Sequence, residues 1–142
     1  MTTGSKMKLD NLNIANNVHV ESWVAQDDIF SLASLVICHG GSGTTFGALA
    51  AGVPLVFLPM FADQPTNAAL IEGAGAGIIV GDGGGSAESN SDASHLRMSL
   101  LRDAISDVLD KPKYRDAARA LGEEINAAEP INSLVHTVVA SL

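Results

Sequence analysis

The chain has 142 residues, 46% hydrophobic and 17% charged, enough for one domain with a buried core and too apolar for a disordered polypeptide. Eight Lys and Arg against sixteen Asp and Glu give a formal net charge of -8, which speaks against nucleic acid and anionic membranes as partners, since both require a basic footprint. The longest weakly polar stretch, residues 47–62, is interrupted by Pro54 and Pro59 and too short to cross a bilayer, and the first residues carry no apolar signal-peptide segment, so the protein is read as cytoplasmic.

In chain order, residues 18–20 are a short strand candidate ending near Trp23, residues 27–33 a short helix, and residues 35–38 an apolar run that reads as a fully buried strand. Cys38 ends that run; as the single cysteine it excludes an internal disulfide, suits a reducing compartment and has packing as its expected role. Residues 44–51 form a helix that stops at Gly52, and Pro54 opens a strand over 55–58. Residues 64–72 make the next helix, closed by Gly73 and Gly75, and residues 77–80 a further strand. This βαβαβ series predicts an α/β fold, a parallel sheet flanked by helices, with ligands at the carboxyl ends of the strands. Residues 81–94, dominated by Gly, Ser and acidic side chains, read as a flexible loop. Three amphipathic helical stretches follow, separated by Lys111-Pro112 and Pro130. Their apolar faces are Leu101, Ile105 and Val108; then Tyr114, Ala117, Ala118, Leu121 and Ile125; then Ile131, Leu134, Val135, Val138, Val139 and Leu142.

Between the strand 35–38 and the helix that follows lies His39-Gly40-Gly41-Ser42-Gly43-Thr44-Thr45. Glycines permit a tight turn with close backbone approach, and hydroxyl residues then open the helix. A helix N-terminus leaves backbone N–H groups unpaired beside a partial positive charge, an arrangement suited to a pyrophosphate. No Lys or Arg lies in the segment, so it is not a Walker loop, and charge neutralisation falls to N–H groups, hydroxyls and His39. His19, His95 and His136 have no such context and read as surface or core residues.

The ordered set Trp23-Val24-Ala25-Gln26, His39 to Thr45, Ala51-Gly52-Val53-Pro54, and Pro59 followed by Ala62-Asp63-Gln64 resembles the donor-binding domain of two-domain, nucleotide-sugar-dependent (GT-B type) glycosyltransferases, in particular bacterial antibiotic and natural-product enzymes. The resemblance runs from Asn17 to about Ala128 and implies a Rossmann-like sheet. It implies that Trp23 stacks on the pyrimidine base of a UDP- or dTDP-sugar and Gln26 bonds near it. It further implies that His39 donates to the pyrophosphate, that Gly41, Ser42, Gly43, Thr44 and Thr45 cradle it, and that Asp63 and Gln64 hold hydroxyls of the transferred hexose, with Asn67 a weaker candidate. No metal or cofactor is expected. Two local readings stand beside these: Trp23 as a half-buried aromatic at a strand end, and Asp63 as the N-cap of a helix beginning at Pro65.

Plant members of the family carry a glutamate for the ribose hydroxyls where this chain has Gly47, so either the ribose is held otherwise or the donor is a deoxyribonucleotide sugar; they also have proline at the position of Ala25. Family members possess an N-terminal domain that binds the acceptor and supplies the catalytic base. The 142 residues leave no room for it, and Thr2-Thr3-Gly4 resembles the end of the donor domain's second strand, so the sheet is expected to be truncated at its N-terminal end with an open edge on residues 35–38. The expectation is the donor-binding part of an inverting, metal-independent glycosyltransferase, a fragment or split subunit inactive alone, with no catalytic residue of its own. Its alternative is a silent module that binds nucleotide or a partner protein. The open edge and residues 131–142 offer routes to a homo-oligomer.

Overall fold

In the computed structural model, residues 15–21, 23–81 and 91–128 are described. The elements in order are α1 (Gln26–Phe30), β1 (Val36–Cys38), α2 (Ser42–Ala50), β2 (Leu55–Phe57), α3 (Gln64–Gly73), β3 (Gly77–Ile79), α4 (Ser91–Asp110) and α5 (Pro112–Ala127). The three strands form one parallel sheet in the order β1-β2-β3, with Val36 opposite Leu55 and Leu55 opposite Gly77. The Rossmann-like α/β expectation is thereby met, and every strand delivers its carboxyl end to the same side of the molecule.

The pleat divides the core into two layers. Leu55 and Phe57 of β2 join Phe30, Ala48, Leu49, Val53, Ala68, Ala76 and Ala118 on one side of the sheet. Val56, between them in sequence, packs on the other side with Val80, Ala104, Val108 and Tyr114. The apolar face read from the sequence of α5 packs, with Ala118 buried beside Ala117, Leu121 and Ile125; on α4 Val108 is buried with Leu101 against it, and Ala104 takes the place expected of Ile105. Side-chain donors fasten α5 to the segment before β1 and to the last residue of α2. Arg115 Nη2 donates to the Ser34 carbonyl at 2.8 Å, and Asn126 Nδ2 to the Ala50 carbonyl at 2.9 Å.

Four expectations are corrected. Residues 18–20 are not a strand, and Glu21 makes only an isolated bridge. The run 35–38 is not fully buried: β1 pairs with β2 alone among the described residues, and Ile37 is 46% exposed because α4 lies over β2 and β3 and stops short of it. The segment 81–94 is not loop throughout, since α4 begins at Ser91; residues 82–90 lie outside the described residues. Asp63 precedes a helix starting at Gln64 and makes no capping bond with its side chain. The apolar stretch 131–142 also falls outside the described residues.

Candidate functional site: a histidine-topped turn at the strand ends

Because β1 and β2 are parallel and in register, the β1–α2 turn and the β2–α3 loop emerge side by side. Gly40 takes φ +93, and a Cβ there would stand 2.8 Å from the Gln64 carbonyl oxygen, so only glycine lets the turn lie against the start of α3. Gly41 is the N-cap residue of α2, and the first bond of that helix runs from Thr45 N to Gly41 O at 3.1 Å. The N–H groups of Ser42, Gly43 and Thr44 precede it and point out of the helix end. His39 bends over this end: a Cβ at Gly41 would be 2.5 Å from His39 Nε2. An imidazole and three backbone donors thus converge on one exposed spot without any cationic side chain.

The hydroxyls of the turn are tied to other candidate residues. Thr44 Oγ1 donates to Gln26 Oε1 at 3.1 Å, joining α1 to the N-terminus of α2. Ser42 Oγ donates to Asp63 Oδ2 at 3.3 Å. Asn67 Nδ2 lies 3.0 Å from the Gly40 carbonyl oxygen, 3.1 Å from Asp63 Oδ2 and 3.4 Å from Ser42 Oγ. Trp23 is 77% exposed, which overturns the half-buried reading and leaves an indole face free three residues before Gln26.

Two candidates have internal duties. Thr45 is 1% exposed and its N–H is spent on Gly41, so it backs the turn from the core and presents nothing at the surface. Thr45 Oγ1 lacks a partner of full hydrogen-bond geometry, and the Cys38 thiol faces it. Burial pushes that thiol above its ordinary value of 9.0, with the Gly40 backbone and the Thr45 hydroxyl pulling the other way. Gln64 is 6% exposed, and its Oε1 accepts from the Met60 and Phe61 N–H groups at 3.0 and 3.2 Å. Those two donors fix the orientation of the amide, since only an oxygen can meet them, and they hold a loop in which Ala62 takes φ 60. Such a left-handed alanine costs about 1–2 kcal/mol, which the buried Gln64 bonds offset.

Of the other histidines, the two that are described do not join this cluster. His19 is a surface residue with Nε2 2.8 Å from Glu21 Oε1, His95 is exposed on α4, and His136 lies outside the described residues. A cleft of about 670 Å³ lies away from the turn, lined by Ser31 to Ser34 and by the α4–α5 junction. Two of its basic residues are engaged: Lys111 bonds Asp107 at 2.7 Å and Arg115 bonds Ser34.

The chain as a whole has known relatives. Over residues 1–142 the chain matches the family described as Erythromycin biosynthesis protein CIII-like, C-terminal domain. The chain belongs to that family. It is 32% identical over 129 residues to an uncharacterized UDP-glucosyltransferase, YojK, of Bacillus subtilis, covering 90% of this chain and 29% of that protein. Among solved structures it is similar to the spinosyn rhamnosyltransferase SpnG, with TM-score 0.79 and 28% identity over 96% of this chain and 34% of that one. The same enzyme complexed with thymidine diphosphate aligns with TM-score 0.67 and 33% identity over 81% of this chain and 29% of that one. The chain therefore spans about a third or less of the length of these relatives.

Among the described residues no helix is long and apolar enough to cross a membrane. Sequence reasoning ranked Asn67 below Asp63 and Gln64, although the structure makes it the residue with most contacts to the turn. The signal was available: Asn67 stands four residues after Asp63, and such pairs share one helix face.

Proposed function

We propose that this chain is the donor-binding half of an inverting, metal-independent glycosyltransferase that moves a hexose from a UDP- or dTDP-sugar to a small-molecule acceptor. The observation that carries the proposal is the convergence of His39 Nε2 and the free N–H groups of Ser42, Gly43 and Thr44 at the start of α2. Donors fixed in place before the reaction stabilise charge at the atom where it develops, without reorganisation during the step. In glycosyl transfer that charge appears on the departing nucleoside diphosphate. A base removes the acceptor hydroxyl proton, the oxygen attacks the anomeric carbon, and the sugar–phosphate bond breaks with its electron pair passing to the pyrophosphate.

The other parts of the donor find matching chemistry nearby. The exposed face of Trp23 suits stacking on a pyrimidine, and Gln26, held by Thr44, offers its amide nitrogen to the base edge. Asp63 supplies a carboxylate for sugar hydroxyls, and Gln64, whose oxygen is occupied, supplies N–H donors. Phe30 favours a deoxyribonucleotide donor. A Cβ at Gly47 would be 2.6 Å from its Cε2, so that position has no room for an acidic side chain directed at a ribose. Thymidine diphosphate as a ligand of SpnG points the same way.

On this reading the acceptor site and the base belong to an N-terminal acceptor-binding domain or subunit, the chain alone is inactive, and the enzyme works in the cytoplasm. Calorimetric titration with dTDP and UDP is the direct test. Binding of either, weakened in His39→Ala, and transfer activity restored by an acceptor domain added in trans are the expected results. Absence of nucleotide binding overturns the proposal, and binding without activity in trans favours a silent nucleotide-binding module.

A further inference from the structure

We infer that Asn67 is a positioning residue, setting the spacing between the anion-binding turn and the Asp63 carboxylate; this rests on the donor-site reading above. One side-chain nitrogen with two hydrogens faces three acceptors, and they belong to different parts of the site. The Gly40 carbonyl at 3.0 Å is the backbone of the turn, Ser42 Oγ at 3.4 Å is the first residue of α2, and Asp63 Oδ2 at 3.1 Å leads into α3. The first and last accept only, so the orientation of the Asn67 amide is dictated by its surroundings.

Each contact answers a specific need. Gly40 stands at φ +93, a conformation open to many alternatives in a free glycine loop, and the Asn67 bond to its carbonyl selects one of them. Ser42 Oγ already donates to Asp63 Oδ2 at 3.3 Å, so the carboxylate touches the mouth of the site where an anion is to bind. Left alone, that negative charge would rotate freely and oppose the incoming phosphates. Asn67 and Ser42 both donate to Oδ2, pinning this oxygen, while the other carboxylate oxygen stays available to a sugar hydroxyl. Asn67 sits on the first turns of α3, whose neighbour Ala68 is fully buried in the core. The amide is thus fixed to a rigid base rather than to a loop.

Three variants test this by calorimetric titration of dTDP and UDP, with thermal unfolding recorded alongside. Asn67→Ala is expected to weaken both nucleotides about tenfold, one hydrogen bond to a charged group. In a double-mutant cycle, Asp63→Ala in the Asn67→Ala background is expected to recover part of that loss, because the unpinned carboxylate is the source of repulsion. Asn67→Asp places a second carboxylate four residues from the first and removes the donor to Gly40. Two adjacent carboxylates raise the pKa of one of them, so the affinity of this variant relative to the parent is expected to recover as pH falls towards 5; charge changes on the imidazole and the diphosphate are common to both proteins and cancel in that ratio. A purely structural role for Asn67 would lower the unfolding temperature without producing that pH profile or the Asp63 rescue. If the parent chain binds nucleotide while Asn67→Ala binds equally well, or Asn67→Asp shows no pH recovery, the positioning role is wrong and the donor site stands. If the parent chain binds neither nucleotide, the donor-site reading falls and this inference with it.

Discussion

Replacing Gly41 by alanine isolates the contribution of His39 without touching the histidine. The backbone at Gly41, φ -65 and ψ 140, is ordinary for alanine, so no backbone strain enters. The added Cβ would stand 2.5 Å from His39 Nε2 and 3.2 Å from its Cε1, so the imidazole must swing off the end of α2. His39 is exposed and can move without disturbing the core, and alanine in place of glycine at a helix N-cap costs about 0.5 kcal/mol. The unfolding temperature is then expected to drop by only about 2 °C. The effect on an anion is larger. A hydrogen bond to a charged group contributes roughly 1.5–3 kcal/mol, and 1.4 kcal/mol is a factor of ten, so dTDP and UDP should bind about 10- to 150-fold more weakly. His39→Ala should show the same loss, and the double variant no further loss, because both remove one interaction. Thymidine, which has no phosphate, provides the control; its binding is followed by the fluorescence of Trp23, the chain's single tryptophan, and should not change. Undiminished dTDP affinity in Gly41→Ala, or an equal loss of thymidine binding, would refute the placement of His39 over the phosphates.

Trp23→Ala should weaken UDP and dTDP alike by roughly 1–3 kcal/mol, the value of one base stacked on an aromatic ring, while the melting curve stays put because the indole is 77% exposed. Gly47→Glu drives its Cβ to 2.6 Å from Phe30 Cε2, so urea denaturation should show a loss of about 1–3 kcal/mol, and titration no gain for UDP over dTDP. The Cys38 thiol, raised above 9.0 by burial, should react with iodoacetamide at pH 8 more slowly than the same thiol in the urea-unfolded chain. Linkage gives the matching stability prediction. The folded state favours the neutral thiol, so its contribution is complete below pH 9.0 and is lost as pH rises above that value, where the unfolded chain ionises first. Urea midpoints measured from pH 8 to 10 should therefore fall, and the fall should shrink in Cys38→Ala.

Element order was legible because the strands are short apolar runs with Gly or Pro near their ends, α2 and α3 are closed by Gly, and α4 and α5 carry faces of period 3.6. Those signals are local. Gly52 and Pro54 mark the end of α2 and the approach to β2 whatever the rest of the chain does. The errors share the opposite property. Residues 35–38 have the composition of a central strand, but the burial of Ile37 depends on whether α4 extends over β1, which no window of sequence encodes. Residues 91–94 read as loop because Ser91, Asp92 and Ser94 are weak helix formers and continue a Gly- and Ser-rich run; the continuous helix to Asp110 incorporates them. In the site, residue types fixed which side chains meet and failed to show which of them also support one another. Gln64 looked like a ligand residue from its place beside Asp63, yet its oxygen holds the Met60–Phe61 backbone, a duty visible only once the loop is folded.

Holding a phosphate-bearing donor on a chain of net charge -8 requires that the attraction act at contact range. At physiological ionic strength exposed charges are screened beyond about 8 Å, so a carboxylate farther away than that is of little consequence at the turn. Asp63 is different, because it touches Ser42 at the mouth of the site and no salt can intervene. In isolation a carboxylate there defeats the purpose of the turn. It becomes useful only if the ligand brings its own donors to that oxygen, as a sugar hydroxyl does and a bare diphosphate does not. On the proposed reading, then, the same side chain rewards the intact nucleotide-sugar and penalises the nucleoside diphosphate left after transfer. The turn provides the affinity and Asp63 the discrimination, and the bonds from Ser42 and Asn67 keep the two at a separation where both can act on one ligand.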